Sequence, residues 1–389
     1  MKAPLLFLCT GIAIFYVLIG YPLLLSLWAR FFARPVRSRD YLASVSVIIA
    51  VRNGERWLRR KIESLLAQDY PAELREIIIV SDGSTDSTEA IAASYQRQGV
   101  RLLVVPAGGK PAALNAAVPH ATGELLLLTD VRQVLEPDCL RLLVCAMADP
   151  EVGVASGDLR IAHAEGEEEE ATKLYWRYEN SIRANMARLD SMLGATGPIN
   201  LIRRALYVPI PPDCLLDDVY LPLSVHLKGY RLVLIPDAIA IDEPSDLRSE
   251  FRRKVRTQAG VLQLLGTFPG LFSSRNRLRF HFVSLKIGRL LLPYLLAILL
   301  LSAFALPAAW RWWAIFPQLV FWMLVLIDPF IPTGSWFKRV TALPRAFGVL
   351  VSAALYALKI LFVPPRRLWI ETRASSPPSE RSVQPAPKV

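Results

Sequence analysis

Four short polar signatures follow one another along the chain, and each holds residue types that bind phosphate, base or hydroxyl groups. They are SDGSTDST (residues 81–88), GGKPAALN (108–115), TDVR (129–132) and LLDDVYL (215–221). The first and third come directly after the aliphatic runs EIIIV and ELLLL, so Asp82 and Asp130 fall where buried strands end. In an open α/β sheet the carboxyl ends of strands are where ligands bind. Three acid clusters and a glycine-lysine loop gathered on one sheet edge suit a substrate that carries both phosphate and sugar.

Each signature has its own chemistry. Asp82 is followed by Gly83, which lets the backbone come close to a ligand. A carboxylate there can accept the imide N–H of a uracil-type base. A turn or helix-cap acid is the alternative; it fits Asp86 better, with Glu89 three residues on completing a capping pattern. Lys110, behind two glycines, can pair with a phosphate while loop amides approach the same group. A solvated loop lysine is the plainer reading. Asp217 and Asp218 open what reads as a helix. Adjacent carboxylates raise each other's pKa, which suits one of them to serve as a general base near neutrality. A charge complementing the helix dipole explains one acid well, and explains less well its apolar setting, LL before and VYL after.

The elements that must hold these residues alternate in type. Residues 45–51 (VSVIIAV) read as a buried strand ended by the Asn53–Gly54 turn. A helix over 55–68 follows, with Trp57, Ile62, Leu65 and Leu66 at helical spacing. Strands are predicted at 76–80, 101–105, 125–128 and 152–156, and helices at 111–118 and 136–148. This succession implies a mostly parallel, helix-covered sheet. The acidic run at 165–170 predicts the start of an exposed helix or loop.

The ends of the chain are different. The chain has 389 residues, of which 53% are hydrophobic, and a formal net charge of +11; the mean hydropathy of +0.34 is high for a soluble protein. Residues 3–29 carry no charge and exceed the roughly 20 needed to cross a bilayer. Residues 290–310 and 312–337 are two further candidates. Basic residues crowd beside these runs: Arg30, Arg34, Arg37 and Arg39 after the first, Arg275, Arg277 and Arg279 before the second. That distribution predicts cytoplasmic flanks and contact with anionic membrane lipids, with no nucleic-acid partner. Between Arg345 and Lys359 only a short uncharged stretch remains. The expectation is three spans plus a helix in or on the membrane, four spans being the alternative, in a multi-pass protein whose polar domain is cytoplasmic. The divisions expected are residues 1–40, 41–270, 271–370 and a disordered Ser/Pro-rich tail at 371–389. The four cysteines form no CxxC pair and read as reduced thiols.

From residue 45 to about 265 the chain resembles the catalytic domain of membrane-anchored, cellulose-synthase-like glycosyltransferases of family 2. The elements that carry this are VSVIIAVRNGE, SDGSTD, GGKPAALN, TDVR, GATGPINLIRR, LLDDVYLPLSVHLKGYRLVLIPDA and FRRKVRTQAG. The resemblance implies a GT-A, Rossmann-like α/β fold between transmembrane helices, an inverting reaction and a nucleoside-diphosphate sugar donor. It puts Asn53, Asp82, Gly83, Lys110, Asn115, Asp130 and Arg132 at the donor. It makes Asp130 the ligand of Mg²⁺ or Mn²⁺ from the family's D-x-D element. Here the third position of that element is Arg132, whose planar fork can neutralise diphosphate directly or make a surface salt bridge. Family position makes Asp218 the general base and Asp217 its supporting neighbour. In the family's Q-x-x-R-W element the aligned residues are Arg253, Arg256 and Thr257. Arg256 matches and can stabilise the departing diphosphate, or lie on a basic helix face against the membrane. The glutamine and tryptophan are missing.

The expected function is transfer of a sugar, from a UDP-sugar by preference, to a lipid-linked or membrane-proximal acceptor. A processive β-glycan synthase is disfavoured by Thr257 and the small number of spans. An inactive assembly subunit is disfavoured by Asp82, Lys110, Asp130 and Asp218 all being present. A transporter is disfavoured by the lack of internal repeats.

Overall fold

The computed structural model describes residues 2–161, 168–243, 247–332, 335–365 and 367–368. The acidic run at 165–170 lies partly outside these residues, and the tail at 371–389 wholly outside. The chain opens with a long apolar helix, α1 (Lys2–Phe15) and α2 (Tyr21–Phe31), joined by a π-helical turn. The α/β domain then runs β1 (Val45–Val51), α3 (Glu55–Leu66), β2 (Arg75–Asp82), α4 (Thr88–Ser94), β3 (Val100–Val105), α5 (Lys110–Ala117) and β4 (Leu125–Leu128). It continues with β5 (Val134–Leu135), α6 (Cys139–Ala146), β6 (Val152–Ile161), α7 (Glu168–Leu189), β7 (Asn200–Arg203), α8 (Asp217–Leu227), β8 (Arg231–Asp242) and α9 (Leu247–Thr267). A short α10 (Arg279–His281) leads into α11 (Gly288–Phe304), α12 (Ala308–Ile327) and α13 (Trp336–Ala357).

The strands form one eight-stranded sheet in the order β3-β2-β1-β4-β7-β6-β8-β5. β1 pairs in parallel with β2 and β4, in register Val47↔Ile77 and Ile48↔Leu128. The expectation of a mostly parallel sheet holds for this half; beyond it the sheet is mixed, with β6 and β8 pairing in parallel. β7 inserts antiparallel between β4 and β6, and β5 pairs antiparallel with β8. β7 belongs to the stretch GATGPINLIRR, a four-residue strand without strong alternation, which is why its direction is not legible in advance.

Both faces of the sheet are covered, so β1 from Val47 to Val51, β2 from Ile77 to Val80 and all of β4 are apolar on both sides. Val47 and Ile49 point to the face packed by Leu58, Ile62 and Leu65 of α3 and by Leu140 and Leu143 of α6. Ile48, Ile78 and Val80 point to the other face, under Ala113, Leu114 and Ala117 of α5. The alternation follows from the two-residue period of a strand. The small alanines of α5 bring its N-terminus, and so Lys110, close to the strand ends.

Four helical stretches are long and apolar enough to cross a membrane: Lys2–Phe31, Arg279–Phe304, Ala308–Phe330 and Trp336–Leu361. The last is longer than the uncharged stretch on which the sequence expectation rested. Lys338 and Arg345 sit inside it, paired with Asp328, at 3.0 and 2.7 Å from Oδ2. Thr341 donates to Oδ1 at 2.6 Å. Asp328 is fully buried. The closing turns of α13 do not stand apart from the α/β domain: Ala353 and Ala357 pack with Val255 and Ala259 of α9 and with Leu215.

A second apolar cluster fastens the domain to the first helix. Tyr21 and Leu25 pack with Ile182 and Met186 of α7, Val219 and Leu223 of α8, and Phe282. Removing the buried carboxylate with Asp328→Ala is expected to cost about 3–5 kcal/mol, because Lys338 and Arg345 lose their shared counter-charge. Equilibrium unfolding in detergent checks this. A loss below about 1 kcal/mol would make the cluster incidental.

Candidate active site

A cavity of ≈ 570 Å³ opens where β1 and β2 end, lined by Arg52, Asp82, the loop from Ala107 to Lys110, and Pro212 to Leu215. Its size lies in the usual range for small-molecule sites, about 300–1,000 Å³. β2 continues two residues past Val80, so Asp82 is its last residue and is buried. The Asp82 carboxylate accepts the amides of Gly108 at 2.7 Å and Gly109 at 3.0 Å, which folds the glycine loop over the strand end.

Lys110 is the first residue of α5, and its Nζ lies 2.8 Å from Asp130 Oδ1 and 2.8 Å from Asp217 Oδ2. One ammonium thus joins three of the four signatures. The second oxygens converge as well. A Cβ built on Gly197 would stand 3.6 Å from Asp130 Oδ2 and 3.7 Å from Asp218 Oδ2. The GATGP turn holding Gly197 is tied to α8, where the Ala195 amide donates to the Asp218 carbonyl at 2.8 Å. It is tied to β4 through the Thr129 hydroxyl, which donates to the Pro198 carbonyl at 2.6 Å.

These placements set the charge states. Withdrawal from water and the neighbouring Asp217 push the Asp218 carboxyl up to about 6, against the pull of Lys110 and Arg256. Desolvation also pushes Asp130 up, but Lys110, with Lys61 and Arg256, outweighs it and holds that carboxyl below the usual range. Lys110 loses by burial and gains more from Asp130 and Asp217, so it stays charged. Arg256, on α9, feels all three carboxylates.

Residues 46–208 match the family described as Glycosyl transferase family 2. This stretch of the chain is a glycosyltransferase domain of that family's type. The transferase is 29% identical over 307 residues to an N-acetylglucosaminyltransferase of Rhizobium meliloti (strain 1021), covering 73% of this chain and 70% of that one. It is 29% identical over 206 residues to a beta-monoglucosyldiacylglycerol synthase of Synechocystis sp., covering 49% of this chain and 42% of that one. Among solved structures, a mannosyltransferase from Pyrobaculum calidifontis in complex with GDP-Man and Mn2+ matches with a TM-score of 0.69 at 22% identity. That match covers 89% of this chain and 98% of the other, and it shows the shared GT-A fold.

Several residues expected at the donor have other work in the transferase. Arg132 is engaged by Asp242 at the end of β8, 2.6 Å away, the salt bridge that the sequence offered as one of its two readings. Asn115 is a strut. Its Oδ1 accepts from the Tyr207 hydroxyl and the Ile210 amide, and its Nδ2 donates to the Ile210 carbonyl. Asn53 has a left-handed backbone, φ 54°, and its Oδ1 accepts the Thr85 amide at 2.8 Å, pinning the SDGSTD loop. Gly83 does allow a close approach, but to protein: a Cβ there would lie 2.9 Å from Ala107 Cβ. Asp86 accepts from the Thr88 amide as expected, whereas Glu89 accepts from the Ser81 hydroxyl and takes no part in capping.

Two residues escaped the sequence reading. Lys61 is fully buried behind Thr129 and donates to its Oγ1 at 2.7 Å and to the Gln133 carbonyl at 2.8 Å. The signal was present: Lys61 lies beside Ile62, between Leu58 and Leu65, on the inward face of α3. Arg183 of α7 donates to the Thr196 hydroxyl in the GATGP turn.

The resemblance implies a divalent ion at Asp130. The donor set there is a single carboxylate, with Lys110 on Oδ1, Oδ2 toward Gly197, and Arg132 where a second acid would stand. Among the described residues no group of three His, Cys, Asp or Glu is placed to hold a metal. One hard oxygen ligand fits Mg²⁺ or Mn²⁺ that draws the rest of its shell from substrate phosphate and water, and does not fit an all-protein cage.

Burial lowers the Lys61 ammonium to about 7, against Asp130 and Cys139. The folded state therefore releases this proton near 7 while the unfolded chain holds it to about 10.5. Charged Lys61 opposes folding below that interval, and the penalty fades as pH rises through it. Wild type should gain stability between pH 7 and 10 relative to Lys61→Met, measured by paired denaturant titrations. Parallel pH profiles would mean that Lys61 keeps an ordinary pKa.

Proposed function

We propose that this transferase moves a sugar with inversion from a nucleoside-diphosphate sugar, preferentially a UDP-sugar, to a lipid-linked or membrane-proximal acceptor. The observation that carries this reading is the Lys110 bridge between Asp130 and Asp217 beside a proton-accepting Asp218. Asp218 takes the proton of the acceptor hydroxyl. The hydroxyl oxygen then bonds to the anomeric carbon from the face opposite the diphosphate, and the bond from that carbon to the diphosphate oxygen breaks. Lys110 and Arg256 face the negative charge that develops on the leaving group. Asp130 is the residue that would hold Mg²⁺ or Mn²⁺, which when bound neutralises diphosphate. The relatives named for N-acetylglucosaminyl transfer and for diacylglycerol glucosylation support an aminosugar or glucose donor and a membrane-bound acceptor.

The basic flanks support a cytoplasmic domain with the N-terminus outside. The packing of α13 on α9 and Leu215 supports three crossings with α13 lying at the interface. A helix of 22 residues is about 33 Å long, so had it crossed, its far end would stand a membrane thickness from where it began.

Asp218→Asn should lower turnover by roughly 10² to 10⁴, while donor affinity measured by calorimetry stays nearly unchanged. Lost donor binding with turnover kept at saturating donor would move the base elsewhere. In wild type, kcat/KM should fall about tenfold per pH unit below about 6, where Asp218 takes up its proton, and level off above. EDTA should abolish turnover and Mn²⁺ restore it. Turnover unchanged in EDTA would leave neutralisation to Lys110 and Arg256.

A further inference from the structure

Away from the transfer site, a second cavity of ≈ 380 Å³ lies where the domain meets the roots of two apolar helices. Arg34, three residues beyond the end of α2, and Arg277, two residues before α10, reach its wall from those two roots, and Lys228 and Arg231 reach it from the domain. Glu151 is the acid of the lining. Asp190 is shared three ways, with Arg277 at 2.8 Å, Arg34 at 3.4 Å and Arg231 at 3.9 Å. Arg34 also takes Glu151 at 2.7 Å. Four cations thus face two carboxylates. Lys228 is exposed, and its ammonium reaches only the Leu206 carbonyl, at 3.4 Å. Arg231 is buried and donates to the Arg34 carbonyl, so it builds the wall and leaves Arg34, Arg277 and Lys228 to meet a ligand.

What lies next to this cavity decides the class of ligand. Trp28 and Phe280 meet edge to face with centroids 5.9 Å apart, and both are exposed, as are Phe31 and Phe32. Exposed aromatics at the root of an apolar helix mark the level of the lipid headgroups. Basic pockets at that depth hold anionic lipid heads. We propose that Arg34, Lys228 and Arg277 form a binding site for the phosphate of an anionic phospholipid, with its acyl chains against Trp28 and Phe280.

Lys228 directly follows α8, whose other end carries Asp217 and Asp218. Eleven residues of helix span about 16 Å, so this lipid takes no part in sugar transfer and fixes the far end of the helix bearing the base. The proposal rests on the apolar helices being in a membrane and is independent of which sugar or acceptor is used.

The test uses the full chain in nanodiscs of phosphatidylcholine, with and without phosphatidylglycerol, read by melting midpoint and by lipid retained in native mass spectrometry. Phosphatidylglycerol should raise the midpoint and remain bound. Lys228→Glu should weaken its retention by about thirtyfold and Lys228→Gln by about fivefold, with Lys228→Arg close to wild type. Arg97→Glu, an exposed charge change remote from the helix roots, should leave retention unaltered. Equal loss in Arg97→Glu would show diffuse surface attraction and overturn the site. So would unchanged retention in Lys228→Glu. An equal rise in midpoint from inorganic phosphate in phosphatidylcholine discs would make this a soluble-anion site and overturn the lipid assignment.

Discussion

The active site depends on a single ammonium group. Lys110 stands 2.8 Å from carboxylates contributed by β4 and α8, elements more than eighty residues apart. Without a cation between them, Asp130 and Asp217 would repel across a partly dry cavity, and the three acids could not share it. The surrounding structure serves to place that group. Alanines on α5 let the helix settle against the sheet, and the glycine loop before it is held by Asp82. Thr129 and Pro198 hold the turn that faces the carboxylates. The same ammonium sets the acids apart in charge. It holds Asp130 ionised through a direct contact, while Asp218, deprived of water and next to Asp217, is left ready to take a proton.

A second constraint is mechanical. Helix α8 carries Asp217 and Asp218 on its first turn, packs Val219 and Leu223 in one cluster with Tyr21 and Leu25 of the N-terminal helix, and turns Leu221 and Val225 to the sheet. Leu215, two residues before it, packs against α13 from the far end of the chain. Asp217 and Asp218 are therefore gripped from both sides by the apolar segments that flank the domain in sequence. The α/β sheet supplies the other half of the site through Asp82 and Asp130.

Much of this was legible in advance for a simple reason. Strands β1 to β4 are short aliphatic runs, and polar residues that follow such runs must emerge at the sheet edge. Asp82 and Asp130 could be placed on that ground, Lys110 by the two glycines before it, and Asp217 and Asp218 as adjacent acids opening a helix in an apolar setting. What could not be read was a side chain's partner when that partner is remote. Arg132 meets Asp242, 110 residues on, and Asn115 meets Tyr207 and Ile210. No local spacing announces such pairs. Nor does spacing announce that Lys338 and Arg345 share Asp328, which lies in the preceding hydrophobic stretch. β7 was missed because four residues without clear alternation carry no directional signal. Lys61 was visible as a charge on an apolar helix face, a pattern that marks a buried polar role.

The cluster around Tyr21 also bears on how the catalytic unit can be separated from its anchors. Residues 41–270 look like an autonomous piece when cut by composition. Such a fragment would lack Tyr21 and Leu25, which are almost wholly enclosed, and Phe282. Ile182 and Met186 of α7, with Val219 and Leu223 of α8, the helix that carries the acids, would then meet water as one apolar surface. Contiguous patches of that kind promote association. A water-soluble version of this transferase would need those positions redesigned as polar before it would stay monomeric, and the redesign would fall directly behind Asp218.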